Sequence, residues 1–340
     1  MNITTIAIDL AKNTFQIHGF TKHHEKVLVK RLKRNKVLPF FIKQSLGCRV
    51  VMEACAGAHY WGRELERLGY SVDLLPPQHV SALVIGDKTD ANDADAIYEA
   101  SLRPKVKRVP LKSEEQQQLL AIHRIRERLM KSRTSLINQL RGLLMEHGII
   151  FPKKVGPLRK GLQEWLSEAE PGNLTELVRE FWEEWQIIDD RIKCQEKKIR
   201  RSYREIGACR LIGEVDGVGE LTATAMVASA GDARVFESGR QMSAWIGVVP
   251  REHSSGDRRQ LKGITKRGDG YLRKLLIHGA RASVLASKHK TDARSRWIQE
   301  LVARRGMNKA VVAVANKNAR IIWAMLRTGE CYRRPESLVA

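Results

Sequence analysis

The chain has no CxxC pair and no zinc-ligand spacing; its five cysteines stand apart at positions 48, 55, 194, 209 and 331. Thiols scattered in this way exclude a disulfide framework and read as reduced residues of a cytoplasmic protein. No run of about 18 apolar residues occurs that would span a membrane; the stretch Ala310–Met325 is broken by Lys317 and Arg320. The N-terminus passes directly into the β-rich Ile3–Asp9, without the basic region and long apolar stretch of a signal peptide. No GxGxxG follows that first strand, which argues against a plain doubly wound nucleotide-binding fold. Acid is the scarcer charge: 38 Asp and Glu oppose 60 Lys and Arg, leaving a formal net charge of +22. A surface so basic is poorly self-compatible and points to a polyanionic partner, nucleic acid before membrane.

What is present places that partner more closely. The 340 residues, 43% of them hydrophobic, suffice for two or three domains with their own cores. Residues 1–110 carry a net +6, residues 111–205 a net +4 and residues 206–340 a net +12. Polyanion contact is therefore expected to be strongest in the last third.

Residues 1–110 alternate between strand and helix patterns. Ile3–Asp9 and Thr14–Phe20 have hairpin spacing, and Val27–Leu32 adds a third strand. Asn35–Leu46 predicts a helix, Arg49–Glu53 a buried strand, His59–Leu68 a helix and Tyr70–Leu75 a strand stopped by Pro76-Pro77. A hairpin followed by strand–helix–strand gives an α/β domain with a mixed sheet. Residues 111–205 are expected to be helical, opened by a capping box at Ser113 and Gln116. Ile122, Leu129, Leu136 and Leu143 recur every seven residues, flanked by Ile125 and Leu140; Leu174, Phe181 and Ile188 repeat likewise, beside the row Trp185, Ile192, Ile199 and Ile206. Two long antiparallel helices follow, either a coiled-coil arm or a bundle within one chain. Residues 206–340 are mainly helical. There Gly217 and Gly219 join two helical patterns, as in a helix–hairpin–helix grip on a phosphate backbone or in an ordinary interhelical turn. Trp245 and Trp323 fall in apolar patterns and are expected in the core.

Asp9 and Glu53 each end a predicted strand, and the segment KTDANDADA adds Asp90 and Asp93, about 60° apart on one helix face. Four converging carboxylates repel one another unless a divalent ion neutralises them, and hard oxygen ligands suit Mg²⁺ and two-metal phosphoryl transfer. Spacing alone leaves a solvated acidic helix start open, and does not choose among Asp87, Asp90, Asp93 and Asp95.

The combination AIDLAKNTF, VVMEACAGAHYW, DKTDANDADA and GxG…WIGVVPREHSSG resembles, over essentially the whole chain, the DEDD transposases of bacterial insertion sequences. The likeness is narrower to the family numbered one-ten and its eleven-eleven group. The resemblance implies an RNase H-like (RuvC-like) N-terminal domain over 1–110, a helical arm over 111–205 and a C-terminal transposase domain over 206–340. It places the metal set on Asp9, Glu53, Asp90 and Asp93, selecting that pair over Asp87 and Asp95, and implies two Mg²⁺ ions. It also implies a serine nucleophile at Ser255 in the stretch Pro250–Gly256, although Ser254 directly before it departs from the pattern. Without the resemblance, Ser-Ser-Gly reads as a turn; His253 as a base for it lacks a third, orienting group. Arg251, Arg258 and Arg259 around the serine suit developing negative charge, and Lys262, Lys266, Arg267, Arg273 and Lys274 suit phosphate contacts. The family's behaviour further implies a phosphoserine intermediate, donor and target DNA, a guide RNA encoded by the element, and a dimer or tetramer. Two other readings stand beside it: a junction-resolving nuclease that uses water, and a non-catalytic architectural DNA-binding protein.

Overall fold

The computed structural model describes residues 2–44, 47–87, 89–254 and 260–333. Two compact units form. The first runs to Gln116 and includes Ser229–Glu237; the second takes the remaining described residues.

The first unit is built from β1 (Ile3–Leu10), β2 (Thr14–Thr21), β3 (Lys26–Lys33), α1 (Val37–Ile42), β4 (Arg49–Glu53), α2 (Ala58–Arg67), β5 (Ser71–Leu75), α3 (Pro77–Val80) and α4 (Asp90–Leu102). Its five-stranded sheet has the order β3-β2-β1-β4-β5. The first three strands are antiparallel neighbours, whereas β1, β4 and β5 run parallel. The sheet is thus mixed, as the strand pattern predicts. Helix α1 is shorter than the expected Asn35–Leu46: Arg34–Lys36 before it form a 3-10 turn, and Ser45 and Leu46 lie outside the described residues. Pro77 ends the strand as predicted, yet also opens the turn of α3, where a missing N–H costs nothing.

Both faces of the sheet are covered. Ile6, Ile8, Val50 and Met52 pack with Val37 and Phe41 of α1 and with Trp61 and Leu65 of α2. Ala7, Phe20 and Val51 point the other way, onto Ala96, Ile97, Tyr98 and Ala100 of α4. Strand alternation therefore puts Asp9, two residues after Ala7, and Glu53, two after Val51, on the side of α4. The small residues Ala94, Ala96 and Ala100 let that helix lie close to the strands.

The helical segment contains α5 (Glu114–Glu146), α6 (Val155–Glu168) and α7 (Asn173–Glu205). Ser113 and Gln116 form the capping box: each accepts from the other's backbone N–H, at 3.2 and 2.9 Å. Ion pairs Arg126–Glu196 at 2.7 Å and Arg133–Asp189 at 2.9 Å show that α5 and α7 are antiparallel. Leu129, Leu136, Leu140 and Leu144 meet Trp185, Ile188 and Ile192, and α6 adds Leu158 and Leu162 to the same core. Ile125, expected beside this seam, is exposed. Buried Asp189 ties all three helices, accepting from Arg133 at 2.9 Å and from Arg159 at 2.7 Å.

The chain continues through α8 (Gly207–Gly213), α9 (Glu220–Ala230), α10 (Gly239–Ile246), β6 (Pro250–Glu252), β7 (Leu261–Ile264), α11 (Gly270–Ala286), α12 (Ala293–Arg305) and α13 (Met307–Thr328). The antiparallel ribbon β6–β7 lies in the last third, where mainly helix is expected from the sequence. Among the described residues no helix is long and apolar enough to cross a membrane.

One buried polar contact fixes α5 to this helical set. His123 is 1% exposed, with Nδ1 3.0 Å from the Tyr271 hydroxyl and Nε2 3.0 Å from Thr224 Oγ1. Burial, reinforced by the charge of Arg126, lowers its imidazole to about 4. The folded chain thus binds this proton less tightly than the unfolded chain, so stability is lost as pH falls from 6.5 towards 4. The loss expected from His123 is about 3 kcal/mol. Urea unfolding at pH 7 and pH 4.5 should show a smaller pH difference for His123→Gln than for the parent; equal differences would remove His123 as the cause.

Candidate metal centre and serine loop

Asp9 lies near the C-terminal end of β1, and the parallel register Ile8↔Met52 brings Glu53 alongside it. Helix α4 begins at Asp90 because Thr89 is an N-cap whose side chain accepts from the Asn92 backbone N–H at 3.2 Å. Asp90 and Asp93 then sit in the first turn, where the helix dipole favours acid. The Asp9 carboxyl is pushed up to about 6, first by burial and then by the negative charges of Asp93, Asp90 and Glu53. The three other acids selected by the resemblance are the ones whose charge acts on Asp9.

The neighbouring acids are placed differently. Asp95 accepts from Lys26 Nζ at 2.8 Å and lies 2.7 Å from His18 Nδ1. Burial pushes its carboxyl up, but the bonds from Lys26 and His18 outweigh that, so it is held below the usual range. Asp87 is exposed, and its backbone carbonyl accepts from Asn92 Nδ2 at 2.7 Å. Arg31 approaches Asp90 to 3.6 Å, partly offsetting the acidic cluster.

The donor set fits a divalent cation. It consists of hard carboxylate oxygens; burial first, and then their mutual repulsion, raises the proton affinity of one member, and a cation would relieve that repulsion. Among the described residues no three His, Cys, Asp or Glu side chains are drawn tightly enough together to enclose an ion as they stand. The acids are within electrostatic reach of one another without closing on a common point.

In the second unit, β6 and β7 flank the serine segment. Arg251 is exposed on β6 and Lys262 on β7. His253 donates its backbone N–H to Gln260 O at 3.0 Å. Ser254 Oγ donates to Glu252 Oε1 at 2.9 Å, which gives the departing serine a carboxylate partner of its own. Ser255, Arg258 and Arg259 lie outside the described residues.

The proposed phosphate contacts separate into two groups. Lys266 and Arg267 are exposed, like Arg251 and Lys262, and none of the four enters an ion pair among the described residues. Arg273 instead donates to the backbone carbonyls of Ile246 and Arg267 at 3.0 and 3.3 Å. Lys274 is held by both carboxylate oxygens of Glu127, at 2.6 and 2.7 Å. Gly217 has φ +86, and a Cβ there would come within 2.5 Å of Gly279 O on α11. Its missing side chain therefore lets the two backbones approach. Gly219 faces open space and is exposed.

Comparison with known proteins defines the class. A DEDD profile described as "Transposase" matches residues 6–149, and one described as "Transposase IS116/IS110/IS902 family" matches residues 209–297. The "Probable family 20 transposase" of Pseudomonas aeruginosa is 49% identical over 98% of this chain and 99% of its own length. The "Transposase for insertion sequence element IS1111A" of Coxiella burnetii is 41% identical, over 98% of this chain and 92% of that protein. The "Transposase for insertion sequence element IS1328" of Yersinia enterocolitica is 33% identical over 98% and 99%. Such full-length similarity makes this enzyme a DNA transposase of insertion sequences. The chain belongs to the IS110/IS116/IS902 family of DEDD transposases.

The sign of the Asp9 shift yields a test. A carboxyl whose folded pKa is raised destabilises the folded state progressively as pH climbs from about 4 to 6, and fully above that. Asp9→Asn should therefore stabilise the metal-free protein at pH 8, by about 1 kcal/mol after discounting for partial exposure, and much less at pH 4. Added Mg²⁺ or Mn²⁺ should raise the thermal midpoint of the parent more than that of Asp9→Asn. Equal stabilisation of both would detach Asp9 from the metal.

Proposed function

We propose that this transposase cuts and rejoins DNA strands by metal-dependent phosphoryl transfer, with Ser255 as the nucleophile and Asp9, Glu53, Asp90 and Asp93 holding Mg²⁺, two ions per site. The observation that carries the metal reading is the placement of Asp9 and Glu53 near the ends of adjacent parallel strands, on the side of α4, whose first turn holds Asp90 and Asp93; the Asp9 carboxyl, raised first by burial and then by those three charges, agrees with it. The strand order β3-β2-β1-β4-β5, with acids at the ends of adjacent parallel strands, supports an RNase H-like domain over residues 1–110. The paired helices support an arm over 111–205, followed by a transposase domain over 206–340. Guidance by an element-encoded RNA, action on donor and target DNA, and assembly as a dimer or tetramer complete the reading.

In the cleavage step the Ser255 hydroxyl oxygen forms a bond to the scissile phosphorus. The bond from phosphorus to the leaving deoxyribose oxygen breaks, and that oxygen takes up a proton to become a free hydroxyl. Ser255 loses its proton, and the phosphodiester is conserved as a phosphoserine linkage ready for a second strand. Bound divalent metal supplies Lewis acidity that favours the ionised nucleophile and the departing oxygen. The four carboxylates hold that charge in place, and Arg251 offers a positive charge to the phosphoryl oxygens. Rejoining is the reverse attack by a DNA hydroxyl on the phosphoserine, which restores the free serine.

The hydrogen bond from Ser254 to Glu252 favours one competing reading, in which Ser254 is the nucleophile. A single assay separates the possibilities. With Mg²⁺ and DNA carrying the element's ends, a denaturation-resistant protein–DNA adduct should form. Ser255→Ala should abolish it, Ser254→Ala should retain it, and Asp9→Asn should slow it by at least about 100-fold. Hydrolytic nicking that persists in Ser255→Ala without any adduct would replace this mechanism with that of a water-using nuclease.

A further inference from the structure

Helices α10, α12 and α13 border an open cleft of about 860 Å³ in the second unit. Arg240, Lys317 and Arg320 line it together with Trp297, Trp323 and Asn316, and among the described residues no acidic one does. None of the three cations enters an ion pair among the described residues. Lys317 is half-buried, with Nζ 4.1 Å from the centre of the Trp297 ring. Burial, and then the charges of Arg294 and Arg320, lower its ammonium below the usual lysine range. Positive charge is thus gathered on a partly desolvated aromatic wall without a counter-charge, at a cost that a bound anion would offset.

The wall is rigid where it matters. Gly239 at the start of α10 packs against α13, and a Cβ there would lie 3.0 Å from Arg320 Cα. Asn316 Nδ2 donates to Val248 O at 3.3 Å, which fixes the adjoining turn of α13. Trp323, expected in the core from its apolar pattern, is instead half-buried and lines the cleft. A surface that joins indole rings to unpaired cations matches a base and its phosphates. Bases inside a duplex are already stacked and offer no free face, so the fit is to an unpaired strand.

We propose that this cleft binds an unpaired nucleotide segment of a nucleic-acid strand, its base against the tryptophan wall and its phosphates on Lys317, Arg320 and Arg240. The proposal rests on the chain acting on nucleic acid as a transposase, but requires neither metal nor a nucleophile. Fluorescently labelled 15-mers of oligo-dT and oligo-rU and a matched duplex, titrated with the full chain in EDTA over a salt series, test it. The double variant Lys317→Gln with Arg320→Gln should bind the single strands at least tenfold more weakly and flatten the log–log salt slope by about 1.4, for two phosphate contacts. Trp323→Leu should weaken single-strand binding several-fold and leave duplex binding unchanged. A larger loss on oligo-rU assigns the cleft to RNA, and a larger loss on oligo-dT assigns it to DNA. Far-ultraviolet circular dichroism confirms that each variant is folded. Unchanged affinity and slope in the folded double variant overturn the proposal. So does a Trp323→Leu loss that is equal for inorganic polyphosphate, which has charge but no bases. Asp9→Asn and Ser255→Ala should bind the single strands normally, so failure of the metal and serine reading is distinguishable from failure of the cleft.

Discussion

Like-charge repulsion at the ends of β1 and β4 is the constraint around which the first unit is organised. Carboxylates left to themselves separate or take up protons, and the Asp9 carboxyl is raised first by its burial and then by the charges of Asp93, Asp90 and Glu53. They stay near one another because each is carried by an element whose position is set by apolar packing. Ile6, Ile8, Val50 and Met52 secure the strands from one face. Ala7, Val51 and the alanines of α4 bring the helix close on the other. Hydrophobic burial across the sheet thus offsets the electrostatic strain that a cation would then relieve. His18, Lys26 and Arg31 limit the excess by meeting Asp95 and Asp90.

This arrangement explains which parts were readable in the sequence. The first five strands follow from alternation and turn residues, which are local. Asp9 and Glu53 could each be put at the end of a strand, but their common side, facing α4, follows only from the packing of Ala7 and Val51 two residues earlier. The choice among Asp87, Asp90, Asp93 and Asp95 was not readable from spacing. What distinguishes Asp95 is its contact with His18, 77 residues earlier, and with Lys26 on β3. Such partners are fixed by tertiary packing and leave no periodic trace. The resemblance supplied the choice that periodicity lacked.

The second unit shows the opposite balance. Its long helices were evident from heptad repeats, but the β6–β7 ribbon was hidden in a stretch rich in Gly and basic residues. His123 attracted no attention as a sequence feature, since a histidine on a helix is ordinary until Tyr271 and Thr224 are found around it. At Gly217 the sequence shows the glycine, but only the fold shows that Gly279 of α11 lies against it.

Charge counting suffers from the same non-locality. The net +12 of residues 206–340 correctly marks the basic third, but it gives every cation equal weight. Lys274 is neutralised by Glu127, Arg273 is bound to backbone carbonyls, and Arg294 is buried against Asn318 and Tyr332. Positive charge that can meet a polyanion is the remainder: part of it lies on α10 and α13, and part on Arg251, Lys262, Lys266 and Arg267 around the serine segment. A carboxylate cluster repels a DNA backbone until metal is bound, so strand affinity has to come from elsewhere in the protein. Placing unpaired cations on elements other than those that carry the acids supplies that affinity without neutralising the carboxylates on which the metal would depend.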